Sequence, residues 1–318
     1  MSILVTGAAG FLGSHLSESL VQAGHDVVGL DSFDAFYDRA IKERNLTSLR
    51  AASTFSMLEG DIRDRSALDG VPSDVTLVVH LAAKAGVRPS IEDPLLYSSV
   101  NIDGTWQILE WMRSRGIPHL VFASSSSVYG NCDIAPFRED MVVDRPISPY
   151  AATKLAAEGI CHRYREDLGM DVRIVRPASV YGPGLYRPDF GRPVDSILNE
   201  LLEGRDVQVA HGSDTLLDYT YVVDEARGII QSYEAKSTQS WIFNISFGQH
   251  RTLGQIVEVM RREFPDRTID LGPGSWNGLD GKGSASLLRP PSDSSLAREE
   301  LGYAPQYDID RAIPAYVR

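Results

Sequence analysis

The sequence predicts an α/β protein: a doubly wound parallel sheet followed by a smaller C-terminal part. Three observations carry that expectation. Short apolar, β-branched runs alternate with helical patterns through the first half of the chain. A turn with glycines at Gly7, Gly10 and Gly13 stands directly behind the first of those runs. After Arg176 the alternation gives way to Pro177, Pro183, Pro188 and Pro193 with glycines between them.

The strand-like runs are Ile3–Val5, Val27–Leu30, Phe55–Glu59, Leu77–Leu81, Leu120–Ala123 and Val172–Val175. Further on come a helical pattern near Asp195–Glu203, strand-like stretches at Asp218–Val223 and Trp241–Ile245, and a helix at Thr252–Glu263. The run Gly272–Gly283 is glycine-rich and reads as a surface loop. Residues 1–177 then form a nucleotide-binding domain of Rossmann type, with a return segment near 220–247. Residues 178–219 and 248–318 form a substrate-binding domain over the carboxyl edge of the sheet, where open α/β folds bind ligands.

Each element at that edge has a chemical reading. Gly7 permits the tight turn, Gly10 lets backbone approach a phosphate, and Gly13 lets the helix pack closely on the strand. Phe11 and Leu12 open that helix, whose unpaired N–H groups and positive dipole end suit a pyrophosphate. The second strand ends at Asp31, an acid placed to bind the ribose hydroxyls of a dinucleotide such as NAD. The polar, aromatic stretch Ser32–Asp38 either folds over the adenosine or is an ordinary loop. Asp61, with Ile62 beside it, closes the third strand; its carboxylate reaches an adenine amino group, caps the next helix, or does both. Leu81, Ala82 and Ala83 are small or apolar where ribose and nicotinamide would pass, and His80 before them reads as a packed structural histidine.

Composition narrows the function classes. The chain has 318 residues, 31 basic against 43 acidic, and a formal net charge of -12, which argues against a nucleic-acid partner. Cys132 and Cys161 make no C-x-x-C pair, so a disulfide scaffold or zinc site is not indicated and the thiols read as buried spectators. No stretch of about 18 apolar residues exists, and the first strand begins at residue 3, so a cytoplasmic protein without a signal peptide or membrane span is expected.

The chemistry sits in two short motifs. Tyr150 and Lys154 are four residues apart, neighbours on one helix face. A tyrosine titrates near pH 10 and is a poor base at neutrality, but a nearby ammonium and a positively charged nicotinamide favour its phenolate. Tyr150 can then take a proton from a sugar hydroxyl while hydride leaves the same carbon, and Lys154 can also reach the nicotinamide ribose. Upstream, Ser124–Ser127 follows the fifth strand with four consecutive hydroxyls, one of them available to the reacting oxygen.

In combination these segments resemble the extended short-chain dehydrogenase/reductases, in particular the NAD-dependent sugar-nucleotide epimerases and dehydratases. TGAAGFLGSHL, HLAA, VFASSSSVYG, PYAATK, VRPASVYGPG and DYTYVVDEA stand in that family's order over nearly the whole chain. The resemblance implies that Ser125, Tyr150 and Lys154 are catalytic, that Asn101 supports the cofactor site, and that Pro177 and Ser179 lie beside the nicotinamide. The segments Gly29–Asp38 and Ala85–Pro94 are similar to the branch that epimerises uronic acids carried on UDP, with NAD as a recycled cofactor. Related dehydratases carry an Asp-Glu pair before the V-Y-G, and decarboxylases a Glu; here Ser126 and Ser127 stand instead, which favours 4-epimerisation. Neutral UDP-hexose epimerisation, uronate decarboxylation and, more remotely, a non-catalytic NAD-binding regulator are the alternatives.

A 4-keto uronate can lose CO2, so its carboxylate must be held; Arg88, Ser126 and Ser127 are the candidates, Arg88 being equally readable as an ion pair with Glu92 or Asp93. By resemblance Arg187, Arg192 and Arg289 meet the substrate pyrophosphate. The family usually has arginine before the D-[FY]; this chain has Leu217 there. Relatives pair two helices into a four-helix bundle, which implies a homodimer through the Trp106–Trp111 and Ala152–Ile160 segments, although both could simply cover the sheet.

Overall fold

The computed structural model describes residues 1–318 except Tyr37, Asp133, 185–192 and 277–289, and of Leu217 the backbone alone. Six strands follow one another through the first part: β1 (Ser2–Thr6), β2 (Asp26–Asp31), β3 (Phe55–Glu59), β4 (Val75–His80), β5 (His119–Ala123) and β6 (Asp171–Pro177). With strand Ile242–Ile245 they make a seven-stranded sheet in the order Ile242–Ile245, β6, β5, β4, β1, β2, β3. Every pairing in it is parallel. The sheet is covered on both faces, and the two-residue alternation of its strands separates the cores. Leu4, Val28, Val78, Leu120 and Val172 pack with helices Gly104–Arg115 and Pro149–Leu168. Ile3, Val5, Val27, Val79 and Val121 pack on the other face against helix α1 (Phe11–Gln22) and helix Val222–Glu234.

Local signals set the helix ends. Ser148 caps helix Pro149–Leu168 by accepting from the Ala151 N–H, Pro149 occupies its first turn, and Gly169 ends it in a left-handed conformation. Thr252 and Gln255 form a reciprocal capping box at the start of helix Leu253–Glu263. The stretch Asp218–Val223, expected as one strand, divides. Leu216–Asp218 pairs antiparallel with His250–Thr252, Thr220–Tyr221 pairs parallel with Val180–Tyr181, and Val222 begins a helix with Asp224 and Glu225 in its first turn. Acids there suit the positive end of the helix dipole.

A separate core holds the later part of the chain. Ile197, Leu198 and Leu201 of helix Pro193–Leu202 meet Ile256, Val257 and Met260 of helix Leu253–Glu263, and Ile313 and Tyr316 of helix Ile309–Val317. Among the described residues no helix is long and apolar enough to cross a membrane. Cys161 is buried and Cys132 half-buried, both as free thiols.

Candidate active site

Because the strands are parallel, the residues that follow them all emerge at one edge, and order β4-β1-β2 places the switch in winding direction beside β1. A cleft of about 790 Å³ lies there, within the size range of small-molecule sites. It runs from Asp31 and Asp61, over the glycine turn, past Ser124–Ser127, Tyr150 and Lys154, to Tyr219 and Trp276.

The glycine turn is built for close backbone approach. Gly7 has φ +74°, and a Cβ on it would lie 3.0 Å from the Ala82 Cα. A Cβ on Gly13 would lie 2.1 Å from the Gly7 carbonyl oxygen, so only glycine lets α1 start this near to β1. Among the described residues no side chain caps the start of α1, and its first turn holds no acid. Gly10, Phe11 and Leu12 face the cleft with it. Asp31 is buried and wired: it accepts from the Ala9 N–H at 3.1 Å, the Phe33 N–H at 2.8 Å and Lys42 Nζ at 2.8 Å. Asp61 pairs with Arg63 at 2.6 Å, and the Arg63 hydrogen bond holds its carboxyl below the usual range against the opposing effect of burial. The capping alternative for Asp61 is corrected: Asp64, not Asp61, caps helix Arg65–Asp69 by accepting from the Ser66 N–H. Ile62, Leu81, Ala82, Ala83 and Pro177 line the cleft.

His80 is structural. Burial, with the Lys154 charge adding to it, pushes its imidazole down to about 3, so the ring is neutral and bridges Thr6 (2.7 Å) and Thr105 (3.1 Å). Asn101 is the one residue expected at the cofactor that does not line the cleft. It lies in a π-turn, Ser99–Asp103, and its amide accepts from the Lys84 N–H and donates to the Lys84 carbonyl and Thr153 Oγ1. Direct cofactor contact is therefore corrected to support: Asn101 ties the end of β4 to the helix that carries Lys154.

The two chemical motifs meet. Ser125 Oγ accepts from the Ser127 N–H at 3.1 Å, capping the short turn Ser126–Tyr129. Its own proton is then left to donate. Ser124 Oγ is buried with no partner among the described residues. Tyr150 lies in the first turn of helix Pro149–Leu168, where the Tyr97 ring meets it edge-on at 6.3 Å and 86°. Lys154 Nζ is buried and donates to the Ala123 carbonyl at 2.8 Å. Ser126, Ser127 and Ser179 also line the cleft, and Ser179 holds a left-handed φ of +35°, a strained setting for a non-glycine residue. Arg88 satisfies both of its readings: it lines the cleft and lies 3.7 Å from Glu92. Arg187, Arg192 and Arg289 fall outside the described residues.

Sequence reading passed over Lys42, the partner of Asp31, and Lys84, which pairs with Asp34 at 2.6 Å. It also took the stretch holding Trp276 for surface loop; Trp276 is only 4% exposed and lines the cleft. Among the described residues no group of three or more His, Cys, Asp or Glu side chains is placed to hold a metal ion.

A parallel sheet with this glycine turn, serine run and Tyr-Lys pair defines a nucleotide-dependent sugar enzyme. The model of the NAD dependent epimerase/dehydratase family matches residues 3–246, and the chain belongs to that family. Within it, the chain is 37% identical over 262 residues to a UDP-glucuronate 4-epimerase of Thermodesulfobacterium geofontis, covering 81% of this chain and 79% of the relative. It superimposes with TM-score 0.86 and 30% identity on a Tyr→Phe variant of UDP-glucuronic acid 4-epimerase from Bacillus cereus, in complex with UDP-4-deoxy-4-fluoro-glucuronic acid and NAD. That match covers 100% of this chain and 98% of the other. A UDP-glucose 4-epimerase of Thermotoga maritima with UDP-glucose matches at TM-score 0.84 and 26% identity, covering 100% and 97%.

Proposed function

We propose that this protein is a UDP-glucuronate 4-epimerase that uses NAD, interconverting UDP-glucuronate and UDP-galacturonate through a 4-keto sugar. The observation that carries the reading is one cleft holding Ser125, Tyr150 and Lys154 with hydroxyls, not carboxylates, at 126 and 127. NAD fits the residues present: the glycine turn leaves room for a pyrophosphate, the start of α1 is uncapped, and Ser124 offers an unpaired buried hydroxyl. Gly7, Gly10, Phe11, Leu12 and Gly13 would hold the pyrophosphate, Asp31 the adenosine ribose, Asp61 and Ile62 the adenine. Leu81, Ala82, Ala83 and Pro177 would flank the nicotinamide. When bound, NAD supplies a reversible hydride acceptor, so the reaction has no net redox change.

The chain's own residues handle the proton and the sugar. Tyr150 takes the proton of the C4 hydroxyl and later returns it, and the Lys154 ammonium favours the phenolate. Ser125 donates to the C4 oxygen. Arg88, Ser126 and Ser127 grip the carboxylate, and without an acid at 126 or 127 the keto sugar meets no group that promotes elimination. Ser179, with Arg187, Arg192 and Arg289, faces the pyrophosphate of the substrate. Residues 1–177 with 220–247 act as the cofactor domain, and 178–219 with 248–318 as the substrate domain. The protein works in the cytoplasm as a homodimer: Trp106, Ala152 and Ala156 are exposed on the two helices that would pair, while Leu109 and Trp111 are spent on the core.

The decisive experiment incubates the purified protein with UDP-glucuronate and NAD+, following sugars by NMR together with CO2. UDP-galacturonate without CO2 is expected. UDP-pentose with CO2 would replace the reading by decarboxylation, and no turnover would favour a neutral UDP-hexose, the substrate type bound in the Thermotoga maritima relative.

Two further outcomes are expected. Replacing Arg88 by Met should weaken UDP-glucuronate binding roughly 10- to 100-fold, the worth of a hydrogen bond to a charged group, and leave UDP-glucose binding unchanged; calorimetry against both ligands checks it. The second is a pH limb. Burial pushes the Lys154 ammonium down to about 8, so turnover should fall as pH rises through 8 and the charge beside Tyr150 is lost. The linkage to stability runs the other way. The folded value lies below the ordinary lysine value of about 10.4, so the buried charge costs stability below pH 8 and that cost is relieved between 8 and about 10.4. In Lys154→Met this alkaline limb should vanish from the pH–rate profile.

A further inference from the structure

The end of the cleft farthest along from the glycine turn is built by Thr215, Tyr219 and Trp276, all buried and all lining it. The tryptophan is seated by its surroundings. Its backbone N–H donates to Thr215 Oγ1 at 2.6 Å. Gly212 lies against the indole, and a Cβ there would come within 3.1 Å of Trp276 Cε3. Among the described residues neither the indole Nε1 nor the Tyr219 hydroxyl has a hydrogen-bond partner. Buried N–H and O–H groups are ordinarily paired. Two such orphans beside one end of a cleft point to acceptors that arrive with a ligand. Thr215 Oγ1 already accepts from Trp276, so its proton is a third donor at the same place.

The character of this set selects the occupant. Phosphate calls for cations, and these three side chains are neutral. Flat aromatic surfaces with neutral donors suit the edge and face of a heterocycle that bears carbonyl oxygens. Uracil presents two such oxygens; cytosine replaces one with an amino group, itself a donor, which would leave one donor of the set unpaired.

We propose that Trp276, together with Tyr219 and Thr215, reads the base of the nucleotide sugar and selects uracil over cytosine. This rests on the UDP-sugar reading above. Sites built to hydrogen-bond a group discriminate strongly against analogues that lack it.

The test is calorimetric titration of the NAD-loaded protein with UDP and with CDP, for wild type, Trp276→Phe and Tyr219→Phe. Wild type is expected to bind UDP at least about tenfold tighter than CDP, and each variant to lose most of that preference while keeping its NAD. Equal binding of UDP and CDP by wild type, or an unchanged preference in both variants, would overturn the inference and leave the epimerase reading standing. Binding of neither nucleotide by wild type would overturn both. Should Trp276→Phe fail to fold, Tyr219→Phe removes a single hydroxyl and decides the matter by itself.

Discussion

Substituting Tyr150 by phenylalanine should reduce conversion of UDP-glucuronate by roughly 100- to 10,000-fold, the range spanned by a positioned general acid–base. The substitution removes one hydroxyl and leaves the ring, so the edge-on contact with Tyr97 persists and the fold is unaffected. Binding should survive for the same reason. NAD content after purification and the affinity for UDP-glucuronate are expected to match wild type, and the loss to fall on kcat. A relative bearing a Tyr→Phe change is a solved complex with NAD and a fluorinated sugar nucleotide, consistent with binding outlasting chemistry in such variants. A parallel loss of NAD would show instead that the phenol holds the cofactor. A fall of less than about tenfold would move the proton transfer to another group, and Ser125, whose hydroxyl proton is left to donate, would be the next to replace.

What could be read in the sequence follows the range of each interaction. Tyr150 and Lys154 lie one helical turn apart, and Ser124–Ser127 directly follow a strand, so local geometry fixed by the backbone is enough to bring them to the cleft. Gly7 and Gly13 were legible for the same reason. Partnerships that depend on strand order were not. Asp34 and Lys84 follow β2 and β4, which flank β1, and their ion pair exists only because the sheet places β1 between them. Lys42 reaches Asp31 by a helix folding back over the strand end. Trp276 was hidden by composition: its glycine-rich surroundings suggest a surface loop, whereas the backbone bond to Thr215 and the missing side chain at Gly212 draw it into the core. Asn101 shows a different limit. Its position was legible by resemblance, but only the π-turn reveals that its amide is spent on Lys84 and Thr153.

Replacing Arg176 by methionine should destabilise the protein by about 3–5 kcal/mol, the cost of breaking a buried ion pair from one side. Its guanidinium, with 2% of the side chain exposed, donates to Glu158 at 2.9 and 2.7 Å in a bidentate pair and to the Tyr129 hydroxyl at 2.9 Å. Tyr129 donates in turn to Asn244 Oδ1 at 2.7 Å. Removing the guanidinium leaves the Glu158 carboxylate buried without its cation and the tyrosine without a donor, and methionine supplies neither. Urea denaturation should show the midpoint falling with an unchanged slope. The counterpart that separates desolvation from packing is the double variant Glu158→Leu, Arg176→Met. With both charges gone no buried ion is stranded, and much of the lost stability should return. A single-variant loss under about 1 kcal/mol would mean that water reaches the pair and screens it as at a surface. The four residues also join the elements on which the chemistry stands. Glu158 is one turn beyond Lys154, Arg176 directly precedes Pro177, Tyr129 closes the turn after the serine run, and Asn244 lies on the outermost strand. The double variant should therefore regain stability faster than turnover, because an apolar pair fills the space without the directional bonds that fix where Lys154 and Ser125 stand.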